Sequence, residues 1–257
     1  MQLGDFTKLA KDYINRVGYS HLALSVIQAH IEHQNHAITC VADVGAGTGK
    51  LTLDLEALGC RGYAVEPNDA MRTEGIKAFA GRDTFLWSKG FAENTGLPDN
   101  SVDWVLMGSS FHWADTAAAL EEFHRILKPG GFFSAIWNPR NIESSPFHTD
   151  IENTIQAMLP NLKRNSSGSR SNMKGMEDKL LSTPYFQDLF LVEAPHQEIM
   201  TKERYMGAWR SVNDIQAQAG EEIFQKILQM IESKIAGMDT VIVPYLSRAF
   251  TVRSTKK

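Results

Sequence analysis

A carboxylate followed by closely spaced glycines marks the segment VADVGAGTGK, at residues 41–50. Asp43 lies at the end of a short apolar run. After it come three glycines at alternate positions, Gly45, Gly47 and Gly49. A strand, a glycine-rich turn and a helix bring backbone N–H groups and the positive end of a helix dipole to one point. This arrangement predicts a bound ligand, and both a phosphate-bearing nucleotide and an adenosyl sulfonium are compatible with it.

A second carboxylate, Glu66, ends the next apolar run in the segment AVEPNDAM, at residues 64–71. An acidic residue at this place in a βαβ unit accepts hydrogen bonds from vicinal ribose hydroxyls. The alternative is that Glu66 caps the helix that starts near Asp69. The glycines follow the spacing G-x-G-x-G, with Lys50 where the dinucleotide fingerprint has its last small residue. These features favour adenosyl recognition but do not choose the cofactor.

Short apolar runs alternate with helical stretches from residue 38 onwards. They predict strands at 38–44, 62–66, 85–90, 102–107, 132–137, 190–200 and 241–250. Helices are predicted at 5–17, after Ser20, and at 50–58, 69–80, 116–127 and 219–236. The alternation is typical of an α/β fold, in which helices cover both faces of a parallel sheet. Because Pro244 cannot donate to a ladder, we expect the last strand to carry a bulge or to lie partly at an edge.

Two further motifs follow in order along the same core. GFAENTGLPDNSVDWVLM spans residues 90–107, and LKPGG occupies residues 127–131, where a structural turn is expected. Together with the glycine loop and the acidic strand end, they resemble the class I S-adenosylmethionine-dependent methyltransferases, especially those that methylate small molecules. The resemblance covers residues 38–137. It implies a Rossmann-like, doubly wound seven-stranded sheet, mostly parallel with an antiparallel last strand, plus N-terminal helices and a C-terminal helical elaboration.

The resemblance implies one domain over residues 1–257, with an N-terminal helical cap (1–36), a cofactor-binding core (37–140) and a variable substrate region (141–257). It implies S-adenosylmethionine as the cofactor. Asp43 would support the glycine loop or the cofactor's ammonium group, and Glu66 would hold its ribose. The positions that match the family's cofactor-binding residues are Asp43, Gly45, Ala46, Gly47, Gly49, Glu66, Pro67, Met71, Ala92, Glu93 and Ser109.

The segment GSSFHWAD, residues 108–115, follows the fourth strand, which in an open α/β sheet ends at the ligand crevice. Its FHW motif resembles the subgroup that includes trans-aconitate methyltransferases, which esterify small carboxylic acids. His112 is the candidate for contacting the acceptor or accepting its proton, with local packing as the alternative. Arg140 is a candidate for pairing with a substrate carboxylate. The residues expected around the acceptor are Tyr13, Tyr19, His112, Trp113, Asn138 and Arg140.

Charge and composition restrict the partners. The net charge of −4 argues against a nucleic-acid binder whose affinity rests on phosphate neutralisation. A basic segment at residues 163–175 either contacts RNA or forms a solvated lid. Its cations are Lys163, Arg164, Arg170 and Lys174. No apolar run reaches the ~18 residues of a membrane span, and no signal-peptide core precedes the first helix.

The remaining candidate ligands for a metal give no site. Cys40 and Cys60 have neither metal-binding nor redox spacing, so a reducing cytoplasm is the expected setting. His30, His33 and His36 recur every three residues but have no cysteine or paired carboxylate nearby, so we expect no metal there.

The leading hypothesis is therefore an enzyme that methylates a carboxyl or hydroxyl oxygen of a small metabolite. A tRNA-modifying methyltransferase, a cofactor-binding protein without catalysis and an NAD-dependent dehydrogenase are the alternatives. The sequence leaves the acceptor and the oligomeric state open.

Overall fold

Seven strands form one sheet in the computed structural model, which describes residues 7–34, 37–164 and 173–257. The strands are β1 (Val41–Val44), β2 (Gly62–Val65), β3 (Phe85–Ser88), β4 (Val102–Gly108), β5 (Leu127–Trp137), β6 (Phe186–Thr201) and β7 (Thr240–Ser254). Their order across the sheet is β3-β2-β1-β4-β5-β7-β6. Strands β1 to β5 pair in parallel, whereas β7 is antiparallel to both β5 and β6. The predicted doubly wound sheet with an antiparallel last strand is confirmed.

Nine α-helices accompany the sheet in the described ranges. They are α1 (Ala10–Tyr13), α2 (His21–His33), α3 (Lys50–Ala57), α4 (Asp69–Ala78), α5 (Thr116–Ile126), α6 (Pro146–Met158), α7 (Met176–Leu180), α8 (Lys202–Arg210) and α9 (Asn213–Ile235). Short 3-10 turns lie at Thr7–Leu9, Phe111–Trp113 and Ile142–Ser144. The sequence prediction missed α6, although its start signal is present. Ser145 accepts a hydrogen bond from the His148 N–H, and Pro146 occupies the first turn.

The predicted helix at 5–17 is wrong in length, because only α1 and the preceding 3-10 turn form within the described part of that range. Beyond Tyr13 the chain is held by contacts with other elements. The Arg16 side chain donates to Ser211, and the Tyr19 N–H donates to Asp54 Oδ2 at 2.6 Å. These contacts hold the segment against the rest of the protein. Its conformation therefore depends on tertiary contacts and not on the helical spacing of its apolar residues.

Alternate residues of β4 enter opposite faces of the core. Val105 and Met107 belong to the cluster beneath α5, whereas Trp104 and Leu106 belong to the cluster beneath α2 and α3. Burial on both faces explains why β4 is a continuous apolar run. A third cluster joins α6, α8 and α9 to the start of β7. This last cluster is the C-terminal elaboration.

Strand β7 lies between β5 and β6 in the sheet. Only part of its length pairs with β5. Pro244 pairs with Gln197 of β6 but lies beyond the residues that pair with β5, which run from Arg248 to Arg253. Its carbonyl accepts a hydrogen bond from the Asn141 N–H at 2.8 Å. Of the two expectations for Pro244, a bulge or a partial edge position, the structure has the second: Pro244 has no partner in β5, and the register shift of the β6–β7 pair falls between Gln187 and Phe190.

The LKPGG segment lies at the start of β5. Val102 pairs with Leu127 and Trp104 pairs with Phe132, so residues 128–131 of β5 stand opposite a single residue of β4. Gly130 has a φ of +73°. These four residues form an irregular turn within the strand, away from the carboxyl ends of the sheet. No helix in the described ranges is long and apolar enough to cross a bilayer.

Candidate functional site

A cavity of about 370 Å³ opens at the carboxyl ends of β1, β2, β4 and β5. The chain proceeds from β1 to β2 on one side and returns to β4 on the other, so the loops after β1 and β4 diverge there. The predicted residues that line the cavity are Tyr13, Tyr19, Asp43, Gly45, Ala46, Gly47, Glu66, Pro67, Met71, Ala92, Glu93, Ser109, Trp113, Asn138 and Arg140. Gly49 and His112 are not among its lining residues.

The glycine loop presents its main chain to the cavity. Gly45 and Gly47 have φ values of +72° and +59°, where residues with a Cβ are strained. A Cβ at Gly45 would also lie 2.7 Å from Ser110 Oγ. The Gly45 and Ala46 N–H groups donate to the Val65 carbonyl, at 2.8 and 3.0 Å. The turn is thus anchored to β2 by its own backbone.

Gly49 is not a lining residue of the cavity and lies beside two aromatic rings. It precedes α3 with a φ of +84°. A Cβ there would lie 3.2 Å from the rings of Phe79 and Trp87. The third glycine is therefore needed where the helix start meets these aromatic rings, outside the cavity.

Asp43 is fully buried at the carboxyl end of β1. Its Oδ2 accepts a hydrogen bond from Thr52 Oγ1 at 2.6 Å, and its Oδ1 has no partner among the described residues. Burial raises the pKa of Asp43 to about 7, with the nearby Glu66 carboxylate adding to the effect of burial. Since the N–H groups of Gly45 and Ala46 bond to Val65, Asp43 does not hold those turns of the loop. Its Oδ1 is therefore a buried acceptor that the described residues leave unused.

Glu66 joins the two loops that flank the cavity. Its Oε2 accepts from the Gly47 N–H and its Oε1 from the Asn68 N–H, each at 2.8 Å. The cap of α4 is Asn68, whose side chain accepts from the N–H groups of Ala70 and Met71. Glu66 is therefore not the helix cap. Burial raises its pKa, and each oxygen keeps a lone pair that a diol hydroxyl can use.

We call Asp43, Gly45, Ala46, Gly47 and Glu66 the glycine-loop wall of the cavity.

Tyr19 connects the N-terminal segment to the end of β4. Its hydroxyl donates to Ser109 Oγ at 2.9 Å. Ser109 has a φ of +56°, an uncommon conformation for a residue with a side chain. At Gly108 a Cβ would lie 2.6 Å from the Tyr19 hydroxyl. The close approach of Tyr19 thus depends on glycine at position 108.

Asn138 uses its amide to join three segments. Its Nδ2 donates to the Gly18 carbonyl at 2.6 Å, and its Oδ1 lies 2.9 Å from both Ser247 Oγ and His196 Nε2. These bonds fix the end of β5 to the segment before α2 and to β6 and β7. Asn138 lines the cavity while its polar atoms are bonded within the protein.

His112 lies in the 3-10 turn after β4, next to the cavity wall but not in it. Its Nδ1 accepts a long hydrogen bond of 3.4 Å from Trp137 Nε1, and its Nε2 is buried without a partner in the described part of the chain. Its ring also packs on Trp113, with centroids 4.6 Å apart. Burial lowers the pKa of His112 to about 4, so the imidazole is neutral and weakly basic at pH 7. The geometry gives its predicted catalytic role no support.

Two aromatic side chains line the cavity and remain open to solvent. Trp113 is 49% exposed and Phe91 is 55% exposed, whereas Phe111 is buried against Phe133. The prediction included Trp113 but missed Phe91. Phe91 could have been found from the sequence, because it is an aromatic residue directly after the predicted third strand.

Three arginines from distant segments reach the cavity, and we call Arg16, Arg140, Arg164 and Tyr245 the arginine wall. Arg16 Nε donates to Ser211 Oγ at 2.6 Å. The Arg140 guanidinium lies 4.1 Å from the centroid of the Trp209 ring. Arg140 is the one that the sequence analysis names as a partner for a substrate carboxylate.

Arg164 belongs to the basic segment that was considered for RNA contact. Its Nη1 donates to Glu152 Oε2 at 2.5 Å, and its Nε donates to Asp214 Oδ2 at 3.2 Å. It therefore faces inward and is neutralised by two carboxylates. Arg170 lies outside the described residues.

No group of three or more His, Cys, Asp or Glu side chains in the described ranges could hold a metal ion. His30 stacks on Phe190 with ring centroids 4.2 Å apart, and His36 lies outside those ranges.

Comparisons with known proteins show which proteins this chain is similar to. Residues 42–135 match the family model described as a methyltransferase domain. An uncharacterized methyltransferase of Mycobacterium tuberculosis is 43% identical over 101 residues, 39% of this chain and 40% of the relative. A malonyl-[acyl-carrier protein] O-methyltransferase of Yersinia pestis is 34% identical over 99 residues, 38% of this chain and 36% of the relative. These matches span only about two fifths of each relative's length.

The fold extends the likeness to nearly the whole chain. A solved structure from Anaeromyxobacter dehalogenans, described as a "putative type II methyltransferase", superposes with a TM-score of 0.63. At 18% identity it covers 94% of this chain and 97% of its own. The matched segment contains the strands whose ends form the glycine-loop wall. Residues 42–135 of this chain are thus similar to the methyltransferase domain family.

Proposed function

We propose that this protein is an S-adenosylmethionine-dependent methyltransferase that acts on a carboxyl or hydroxyl oxygen of a small acceptor. One observation carries the proposal: Asp43, whose buried Oδ1 has no partner in the described part of the chain, lines the same cavity as Glu66 and the arginine wall. A single cavity therefore offers groups for an adenosyl amino acid and for a second, anionic molecule.

The residues of the glycine-loop wall fit the cofactor. Asp43 would accept from the ammonium group of the methionine portion, and Glu66 would accept from the two ribose hydroxyls. Gly45 and Gly47 let the main chain approach the ligand. Beside Glu66, the apolar side chains that would contact the adenine are Pro67 and Met71, with Ala92 and Glu93 at its amino edge.

When bound, S-adenosylmethionine supplies a methyl group that an oxygen nucleophile attacks in line. The protein's own residues then have two tasks, to align the acceptor and to exclude water. Tyr19 and Ser109 hold each other at the end of β4, beside the glycine-loop wall. Met107, which is 3% exposed, adds an apolar surface to the cavity.

A carboxylate is the acceptor that the site suits best. It is already anionic and needs no general base, whereas a hydroxyl does. His112 is too weak a base at its lowered pKa of about 4, and it lies outside the cavity, so we assign it a packing role. Two likenesses support an oxygen acceptor: the FHW motif resembles trans-aconitate methyltransferases, and a similar protein is named as a malonyl-[acyl-carrier protein] O-methyltransferase.

The tRNA alternative is disfavoured by the inward position of Arg164, which pairs with Glu152 and Asp214. We further propose a cytoplasmic setting, since Cys40 and Cys60 are both free thiols.

Calorimetry with S-adenosylmethionine and with NAD tests the cofactor assignment. We expect one site for S-adenosylmethionine and none for NAD. If NAD binds and S-adenosylmethionine does not, the proposal is overturned. A transfer assay with a labelled methyl group, over carboxylic acids, phenols, sugars and tRNA, then tests the acceptor class. Label recovered as a base-labile ester is expected, and label confined to tRNA would contradict an oxygen of a small acceptor.

A further inference from the structure

Arg16 and Arg140 bring two positive charges to one cavity, where Asp214 acts on Arg16 and Glu152 on Arg140 without a direct ion pair in the described ranges. Both line it, and neither forms an ion pair with any Asp or Glu in the described ranges. Arg164, the third arginine of the wall, pairs with both Glu152 and Asp214. Arg164 is thus neutralised by direct ion pairs, whereas Arg16 and Arg140 form none in the described ranges.

The contacts that hold the two guanidinium groups are neutral. Arg16 donates from Nε to Ser211 Oγ at 2.6 Å and from Nη2 to the Ser211 carbonyl at 3.0 Å. Arg140 lies over the Trp209 ring at 4.1 Å and bonds to the Tyr245 hydroxyl. These partners orient the groups but do not cancel their charges. A guanidinium has five N–H donors, so each group keeps donors for a ligand.

The two arginines line the same cavity, and their like charges oppose each other. Burial lowers the pKa of Arg16, and the charge of Arg140 acts in the same direction. Burial also opposes the charge of Arg140, but the nearby Tyr245 and Glu152 outweigh it and raise the pKa of Arg140. Both side chains are only half-buried, as expected for the wall of an open cavity. Two like charges in a partly desolvated site cost free energy, and an anion placed between them would remove that cost.

We infer that the methyl acceptor carries a carboxylate or phosphate group that binds between Arg16 and Arg140. This inference rests on the proposed function, because it names the substrate class of the same cavity. Planar guanidinium groups bind such oxyanions through paired hydrogen bonds. A neutral acceptor of the same shape would leave the two charges unneutralised, so the pair selects against it.

Calorimetry with matched probes tests the inference on the whole protein loaded with S-adenosylhomocysteine, in phosphate-free buffer. The probes are benzoate against benzamide, and phenyl phosphate against phenol. We expect the anion of at least one pair to bind about tenfold or more tightly than its neutral match. The affinity for that anion should fall as salt is added. The tighter of the two anions identifies the group as carboxylate or phosphate.

Substitutions assign the preference to the pair. Arg140→Gln and Arg16→Gln should each remove the preference for the anion, while the affinity for S-adenosylhomocysteine stays within about twofold. Arg140→Lys keeps the positive charge but loses the planar guanidinium, so this variant should keep part of the preference for the anion. The matched control is Arg82→Gln, because Arg82 also lies over an aromatic ring, at 5.8 Å from the centroid of Phe79, but outside the cavity.

Equal binding of the anionic and neutral probes by the wild type would overturn the inference. So would an anion preference that survives in both glutamine variants. Failure of the proposed function looks different: S-adenosylhomocysteine itself would not bind. The probes can then still be compared on the free protein, so the two failures are told apart.

Discussion

The glycine-loop wall and the arginine wall are built in different ways. The first comes from residues 43–66, and its geometry is set by the backbone conformation of Gly45 and Gly47. The second joins side chains from four segments, and Arg16 is held by Ser211, 195 positions away. A wall made of local main chain leaves a short motif in the sequence. A wall made of distant side chains leaves none, and the comparison predicts that the two can be damaged separately.

The largest effect is expected from Glu66→Ala. The substitution removes a buried carboxylate that would bind the ribose hydroxyls, which costs about 1.5–3 kcal/mol, or about 10- to 150-fold in affinity for S-adenosylmethionine. Calorimetry measures it. The control is Glu74→Ala, which removes a carboxylate within α4 that pairs with Lys77 outside the cavity. An unchanged affinity in Glu66→Ala would show that this carboxylate is not on the ribose.

The second largest effect is expected from Gly45→Ala. A methyl group there meets Ser110 at a φ of +72°, so both backbone strain and a clash arise. Gly59→Ala is the matched control, since Gly59 has a φ of +82° and nothing within 4 Å of its added Cβ. We expect Gly45→Ala to lower the free energy of unfolding by about 1–2 kcal/mol more than Gly59→Ala does, and also to weaken cofactor binding. Equal losses in chemical denaturation would mean that Ser110 gives way.

The pH dependence of cofactor binding probes Asp43. Its pKa of about 7 without ligand lies above the ordinary value of 3.8, so the folded protein holds a proton there that the unfolded chain has released. Stability from this group is therefore present below pH ~4 and declines as pH rises towards ~7. A cationic ligand prefers the ionised form, so affinity should rise on the order of tenfold from pH 5.5 to pH 7. Asp43→Asn should flatten the profile, and an equally steep profile in that variant would assign the proton to another group, such as Glu66.

The smallest effect is expected from His112→Gln. Glutamine keeps an acceptor for Trp137 Nε1 and removes the imidazole. If His112 only packs, turnover should stay within about threefold of the wild type, or ~0.7 kcal/mol in the barrier. A much larger loss of turnover at unchanged cofactor affinity would show that the imidazole contacts the acceptor.

Most of the sheet and the glycine-loop wall could be predicted from the sequence, because local patterns determine them. Apolar runs such as β4 reflect burial on both faces of a parallel sheet. Glycines required at positive φ produce a regular spacing that is visible in the sequence. The acidic end of β2 was found in the same way, and the structure adds that Glu66 bonds to Gly47 and Asn68.

The remaining features depend on contacts that no local pattern encodes. His112 and Gly49 follow the family's motif positions, but packing against Trp137 and against Phe79 takes them out of the cavity. Arg164 looked like part of an exposed basic segment, and only its pairing with Asp214 turns it inward. The N-terminal helix is cut short by contacts from the same kind of distant partner.

One crossed titration tests the central claim, that a single cavity recognises the cofactor and the acceptor through two separate walls. The affinity for S-adenosylmethionine is measured side by side in the wild type, Glu66→Ala and Arg140→Gln. We predict a loss of about 10- to 150-fold in Glu66→Ala and a change within about twofold in Arg140→Gln. Unchanged affinity in Glu66→Ala, or an equal loss in Arg140→Gln, would contradict the account.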